Sequence, residues 1–132
     1  MSHVTEIKTK ITDLAALEVA CSELGFHFMR DQKTFVRYQS IPGSCEHAIR
    51  VGGCSYEVGV VKQGDGSYQL AYDPWYSGGL GARIGENAGP LVQSYAKHKT
   101  IREAARLGHR VVAQQVLKDG SIKLVLQAGG GR

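Results

Sequence analysis

The sequence predicts an α+β fold, a two-layer sandwich in which one antiparallel sheet of about five to seven strands carries two helices on one face. Three observations carry this expectation. Two segments repeat apolar residues at helical spacing, β-rich runs recur in consecutive pairs, and the links within those pairs are short and contain Asp-Gly. Consecutive hairpins make a sheet antiparallel, and two helices with one apolar face each need one sheet face to bury against.

The elements follow in order. Residues 3–11 set Val4, Ile7 and Ile11 among polar residues at approximately the period of a half-buried strand. Asp13 is placed to cap a helix whose apolar side is Leu14, Leu17, Cys21 and Leu24, and Gly25 supplies the left-handed residue after its end. From Phe26 to Tyr38 aromatic and β-branched residues return, predicting one or two strands with a polar bend over residues 31–33. Residues 41–44, Ile-Pro-Gly-Ser, read as a turn. Strands are expected over 47–51 and 55–63, and Gly64-Asp-Gly66 joins Val58–Lys62 to Tyr68–Tyr72 as a hairpin. Gly89-Pro90 reads as a helix start, because proline suits the first helical position, and that helix runs to Leu107 and stops at Gly108. Arg110–Lys118 and Ser121–Gln127 flank Asp119-Gly120, a pair that tolerates the positive φ angles of a two-residue turn. The expected order is β-α-β-β-β-α-β-β, in one domain over residues 1–127 with a flexible tail over 128–132.

Composition bounds the function. With 42% hydrophobic and 21% charged residues in 132, the chain is an ordinary globular domain and not a disordered one. A net charge of +4 favours acidic partners in general and names none. No apolar run approaches the roughly 18 residues that span a bilayer, and the first residues carry no apolar signal-peptide core, so the expectation is a cytoplasmic protein without a membrane partner. Three cysteines, an odd number, suit a reducing compartment, and Cys21 on the apolar helix face reads as a small buried hydrophobe.

Residues 1–17, the segment Tyr72-Asp-Pro-Trp75, and the end from Tyr95-Ala-Lys-His-Lys99 through Ala105-Arg-Leu-Gly108 to Asp119-Gly-Ser-Ile-Lys-Leu-Val-Leu126 resemble a family of small proteins. Its members are encoded in cyanobacteria, plastid genomes, planctomycetes and some phages, and the family is a domain of unknown function of the plastid hypothetical-reading-frame type. The resemblance implies a small soluble cytoplasmic or stromal protein, often encoded near an ATPase of the AAA type and thus its accessory. It assigns no catalytic residue and no cofactor. The chain departs from the family pattern at residues 78–89, which are richer in glycine and less acidic than in relatives.

That run belongs to a stretch, residues 72–90, whose glycines at 78, 79, 81, 85 and 89 raise three readings: a phosphate cradle, a lid or a long connection. The spacing matches neither the dinucleotide fingerprint nor the Walker pattern. A looser anion site would use Gly79, Gly81, Arg83 and Gly89 at the free N–H groups of the following helix, whereas the plainer reading is a loop anchored by Trp75 and Tyr76. Those two aromatics suit either an interface anchor or the core. On the second helix Lys99, Arg102, Arg106 and, just beyond, Arg110 recur every three or four residues, a row able to meet an acidic partner or phosphates and equally readable as a solvated basic face. His98 falls on the opposite, apolar stripe with Leu91, Tyr95, Ile101 and Ala105 and reads as a hydrogen-bonded core histidine. Cys45, His47 and Cys54 are three zinc-ligand types within ten residues, but without the paired short spacings of structural zinc, so no metal is expected. No catalytic signature is present.

The expected function is therefore a small non-enzymatic interaction or adaptor protein, with Trp75, Tyr76, Arg83, Lys99, Arg102 and Arg106 as its partner surface and an AAA-type ATPase as the partner the resemblance implies. Two alternatives stand beside it: a module sequestering a nucleotide-like anion, and a nucleic-acid binder. Self-association through a sheet edge is a further option.

Overall fold

The computed structural model describes residues 4–38, 42–75, 78–118 and 122–128. The chain runs through β1 (Thr5–Ile11), α1 (Leu14–Glu23), β2 (His27–Met29), β3 (Thr34–Phe35), β4 (Gly43–Ser44), β5 (His47–Arg50), β6 (Glu57–Lys62) and β7 (Tyr68–Tyr72). It continues through α2 (Leu80–Ile84), a 3-10 turn at Glu86–Ala88, α3 (Gly89–Arg106), β8 (His109–Val116) and β9 (Ile122–Ala128). The α1 helix begins and ends by the predicted chemistry. The Asp13 carboxylate accepts from the Ala16 N–H at 3.1 Å, and Gly25 takes a φ of 77° just past the helix.

Five strands form an antiparallel sheet in the order β1-β7-β6-β5-β2. Register places Ile7, Leu70, Val60 and His47 in one row across it and Glu6, Ala71, Gly59 and Ala48 in the next. Alternation along a strand sends successive rows to opposite faces. The first row meets the helices: Ile7, Leu70 and Val60 share a core with Leu17 and Cys21 of α1 and Leu91 and Tyr95 of α3. Beyond Glu6 at its β1 end the second row is made of small residues, and the Phe35 ring from β3 packs there with Cys45, Ala48 and Ala71. Helices on one face of an antiparallel sheet are the α+β sandwich that the sequence predicts, with a small flap on the other face.

Four details correct the expectation. Within 41–44, Gly43 and Ser44 pair with Thr34 and Phe35 as β4, and Ile41 lies outside the described residues. Two-residue strands have no periodicity to read. Second, the glycine-rich segment is not an open loop: α2 buries Leu80 and Ile84, and after Gly85 breaks that helix the 3-10 turn buries Ala88. Third, β8 and β9 form the expected hairpin but among the described residues pair only with each other, as a two-stranded arm apart from the central sheet. The Asp119-Gly120 turn lies outside the described residues, and Ala128 belongs to β9, opposite His109, so of the expected tail only residues 129–132 remain, also outside the description. Fourth, the buried stripe of α3 is Leu91, Ser94, Tyr95 and Ala104, while Ala105 is exposed. Among the described residues no helix is long and apolar enough to cross a membrane.

Candidate functional site

The glycine-rich segment is held down by its neighbours. Asp73 is fully buried, and its two carboxylate oxygens accept the Trp75 N–H at 2.9 Å and the Tyr38 N–H at 3.1 Å. The Trp75 ring is half-buried against the main core and stands 5.6 Å from the Tyr38 ring, so it is part of the packing as well as part of the surface. Tyr76 lies outside the described residues. Gly78 lies against the Tyr56 ring so closely that a Cβ there would overlap it.

The four residues expected at an anion site are dispersed. Gly79 caps α2 with a φ of 80° near Cys54, and Gly81 lies beside the Pro74 carbonyl. The Arg83 guanidinium donates to the Gly52 carbonyl at 2.7 Å. Only Gly89 lines the cleft at the start of α3, about 470 Å³ in volume, together with Glu6, Ile7, Thr9, Asn87 and Val92. The Glu6 carboxylate opposes an anion there. The Asn87 and Ala88 amides are already taken by the Tyr72 hydroxyl, whose phenol burial pushes up in spite of them.

The basic row of α3 divides in the same way. Arg102 pairs with Asp13 at 2.8 Å, and next to it the Tyr95 hydroxyl accepts the Thr12 and Asp13 amides at 2.8 and 3.2 Å. Burial alone would raise the Asp13 carboxyl, but the Arg102 guanidinium and the Ala16 amide outweigh it and hold the group below its usual range. Arg102 therefore ties α3 to the β1–α1 junction while its side chain stays about half exposed. Lys99 lies 3.8 Å from Glu103 along the helix, and Arg106 stays exposed beside Ala105. Charge reversal at Arg102 is expected to lower stability by about 1 kcal/mol or more, measurable in urea, since it sets two carboxylates against each other.

On the other side of α3, Glu23 of α1 accepts from Lys97 at 2.8 Å and from the Ser94 hydroxyl. His98 Nε2 lies 3.4 Å from the same carboxylate, close enough to feel its charge but without hydrogen-bond geometry. Lys97 and Ser94 hold the Glu23 carboxyl at about 2, against 4.5 for an ordinary glutamate. A depressed carboxylate contributes stability that is complete above the unfolded value and lost as pH falls through the folded one. Thermal melts should therefore show this contribution fading between pH 4.5 and 2, and Glu23→Gln should be less stable at neutral pH with a flatter acid limb.

Cys45, His47 and Cys54 do not converge, and the described residues contain no group of three or more His, Cys, Asp or Glu placed to hold a metal. His47 is buried with its Nδ1 accepting the Asp31 N–H at 2.8 Å; burial lowers its pKa, so it is neutral with the proton on Nε2. Burial pushes the Cys45 thiol up to about 11 and the Cys21 thiol to about 12, which keeps both protonated at neutral pH.

The feature that local sequence reading missed is the C-terminal arm. Of the nine exposed large hydrophobic residues among those described, Leu107, Val112, Val116, Leu117, Val125 and Leu126 lie at the end of α3 or on the arm, with Leu107 and Val116 at 74% and 69% exposure. Ile122 and Leu124 face α3 across a gap of about 200 Å³ bordered by Gln93, Ala96, Lys97 and Thr100. A two-stranded hairpin is marginal by itself in water. The charge is as uneven as the apolar surface. Residues 1–103 carry eleven Lys and Arg against eleven Asp and Glu, and residues 104–132 carry five against one, so the whole net charge of +4 resides in the last segment. No aromatic residue follows Tyr95. This partition was available in the sequence, had charge been counted by segment.

A family model described as "Protein of unknown function (DUF1257)" matches residues 20–125. The chain is 29% identical over 133 residues, 96% of its length and 97% of the relative's, to the "Uncharacterized protein ycf35" of Pyropia yezoensis. No solved structure gives a significant match.

Proposed function

The chain belongs to the family described as Protein of unknown function (DUF1257), and we propose that it is a non-enzymatic docking module, an adaptor that binds an acidic protein partner in the cytoplasm or stroma through the β8–β9 arm. The observation that carries this reading is that the arm and the end of α3 hold six of the nine exposed large hydrophobic residues among those described, within the same segment, residues 104–132, that carries the excess of positive charge. Contiguous exposed apolar surface on a folded domain is characteristic of an interaction site, and opposite charge speeds and selects the encounter. Trp75, Arg83 and the α3 row are less suited to lead the contact, since Trp75 packs on the core and Arg83 and Arg102 have partners within the chain.

An AAA-type ATPase, the partner class implied by the family resemblance, is the first to be tested. The nucleic-acid alternative has the cations of the arm, but no Phe, Tyr or Trp follows Tyr95 in the sequence to give bases a stacking platform there. Val112→Ser, Val116→Ser and Val125→Ser remove only exposed methyl groups, so the full-length triple variant should keep the wild-type melting temperature and lose the partner captured by the wild type from its own host lysate. Equal recovery of the same partner by wild type and triple variant would overturn the reading.

A further inference from the structure

We propose that the arm binds its partner by strand addition, and that the outer edge of β9 accepts an extended segment alternating aliphatic and acidic residues. The inference rests on the docking reading above and specifies its mode. Within the described residues β8 and β9 pair only with each other, so each has one edge whose backbone N–H and C=O groups lack a strand partner. Natural edges of this kind are normally guarded by charge, proline or a bulge. The two edges differ in that respect. The register shift of the hairpin falls between Val111 and Ala113, which puts the extra residue on β8, twists that edge and interrupts its row of hydrogen-bonding groups. On β9 the residues from Ile122 to Ala128 run on with no extra residue, contain no proline, and have Lys123 as their sole charge. The unbroken edge is the template.

The side chains define the chemistry of the incoming strand. Ile122, Leu124 and Leu126 alternate with Lys123, Val125 and Gln127 along β9, and the first set begins on the side facing α3. Neighbours on an added strand would lie directly beside these residues, so an aliphatic residue fits against Leu124 and Leu126, where it would complete the cover over the gap to α3. An Asp or Glu fits against Lys123, with Lys118 near the same end of the hairpin. A second copy of the chain is the poorer occupant, because it would bring another strongly basic arm to a basic arm. Strand addition also gives the marginal two-stranded arm the third strand that such a ribbon needs for independent stability.

The test is selection of a random peptide phage library on the full-length protein, followed by fluorescence anisotropy with the enriched peptides. The expected peptides alternate aliphatic residues with Asp or Glu, and N-methylation at alternate backbone positions abolishes their binding while methylation at the intervening positions does not. Lys123→Glu should weaken binding by roughly fivefold, the effect of one cross-strand charge pair, with an unchanged melting temperature. Val125→Ser gives a second variant should charge reversal disturb the hairpin. Peptides that enrich but bind regardless of backbone methylation would overturn strand addition and leave the docking reading in place. Enrichment of no peptide, or binding of single-stranded DNA or anionic vesicles through the same Lys123 instead, would overturn it as well. If the triple serine variant of the arm captured the host partner undiminished, the docking reading itself would fail.

Discussion

Gly59→Ala is expected to destabilise the protein by about 1–3 kcal/mol, a large share of the stability of a domain of this size. Gly59 sits in the row of small residues on the flap side of the sheet, flanked by Ala48 and Ala71. The Phe35 ring fills the space above it, and a Cβ at position 59 would overlap that ring, as would one at Gly43. The ring is buried, so relieving the overlap would disturb the packing around it. Phe35→Ala should cost about 3–5 kcal/mol because it empties the second, smaller core. Combined with Phe35→Ala, however, Gly59→Ala should cost little, since its methyl group then enters the vacated space. Urea unfolding of the two single variants and the double variant closes the cycle. Simple additivity would show that the ring and the glycine are independent, contrary to their contact.

Asp73→Ala should cost about 2–4 kcal/mol, because the Trp75 and Tyr38 amides would lose their acceptors inside the protein. The two oxygens of one fully buried carboxylate bind the chain leaving β7 and the chain beyond β3, so the effect is local as well as global. Hydrogen exchange at the Tyr38 and Trp75 amides should accelerate in the variant before the amides of β6 respond. Asp73→Asn keeps one acceptor oxygen and should cost about half as much, with only one of the two amides losing protection. Protection of both amides in Asp73→Ala would mean that another group satisfies them.

These two sites differ in how far they could be read in advance. Aspartate two residues before Trp75 is an ordinary sequence signal for a turn, and the Trp75 N–H bond follows from it. The Tyr38 bond joins residues 35 positions apart and has no local signature. The helix α2 was legible in principle, in the spacing of Leu80 and Ile84, but five glycines between residues 78 and 89 gave a stronger signal for a loop. The basic row on α3 was correctly placed on one helix, yet its division into an internal lock at Arg102 and an exposed residue at Arg106 depended on where Asp13 would lie. Zinc-ligand residue types at 45, 47 and 54 were close in sequence, but each is committed to a different local environment: a hydrogen bond from the Cys45 thiol to the Gln32 carbonyl, the Asp31 amide at His47, and the side of α2 at Cys54.

By itself the sequence determined the elements whose causes lie within a few residues: the Asp13 cap and Gly25 stop of α1, the Gly64-Asp-Gly66 hairpin, Pro90 at the start of α3 and Gly108 at its end. It also held the alternation that gives the sheet one face for the helices, and the concentration of positive charge after residue 103. Caps, turns and periodicity act through neighbouring residues, so their causes can be read along the chain even though tertiary packing stabilises the elements they mark. Tertiary structure decided which cation is tied up and which is exposed, which glycine must remain a glycine, and that the last hairpin stands apart from the sheet. Each of these depends on groups meeting across tens of residues, and contacts such as Arg102 against Asp13 or Phe35 against Gly59 have no counterpart along the chain.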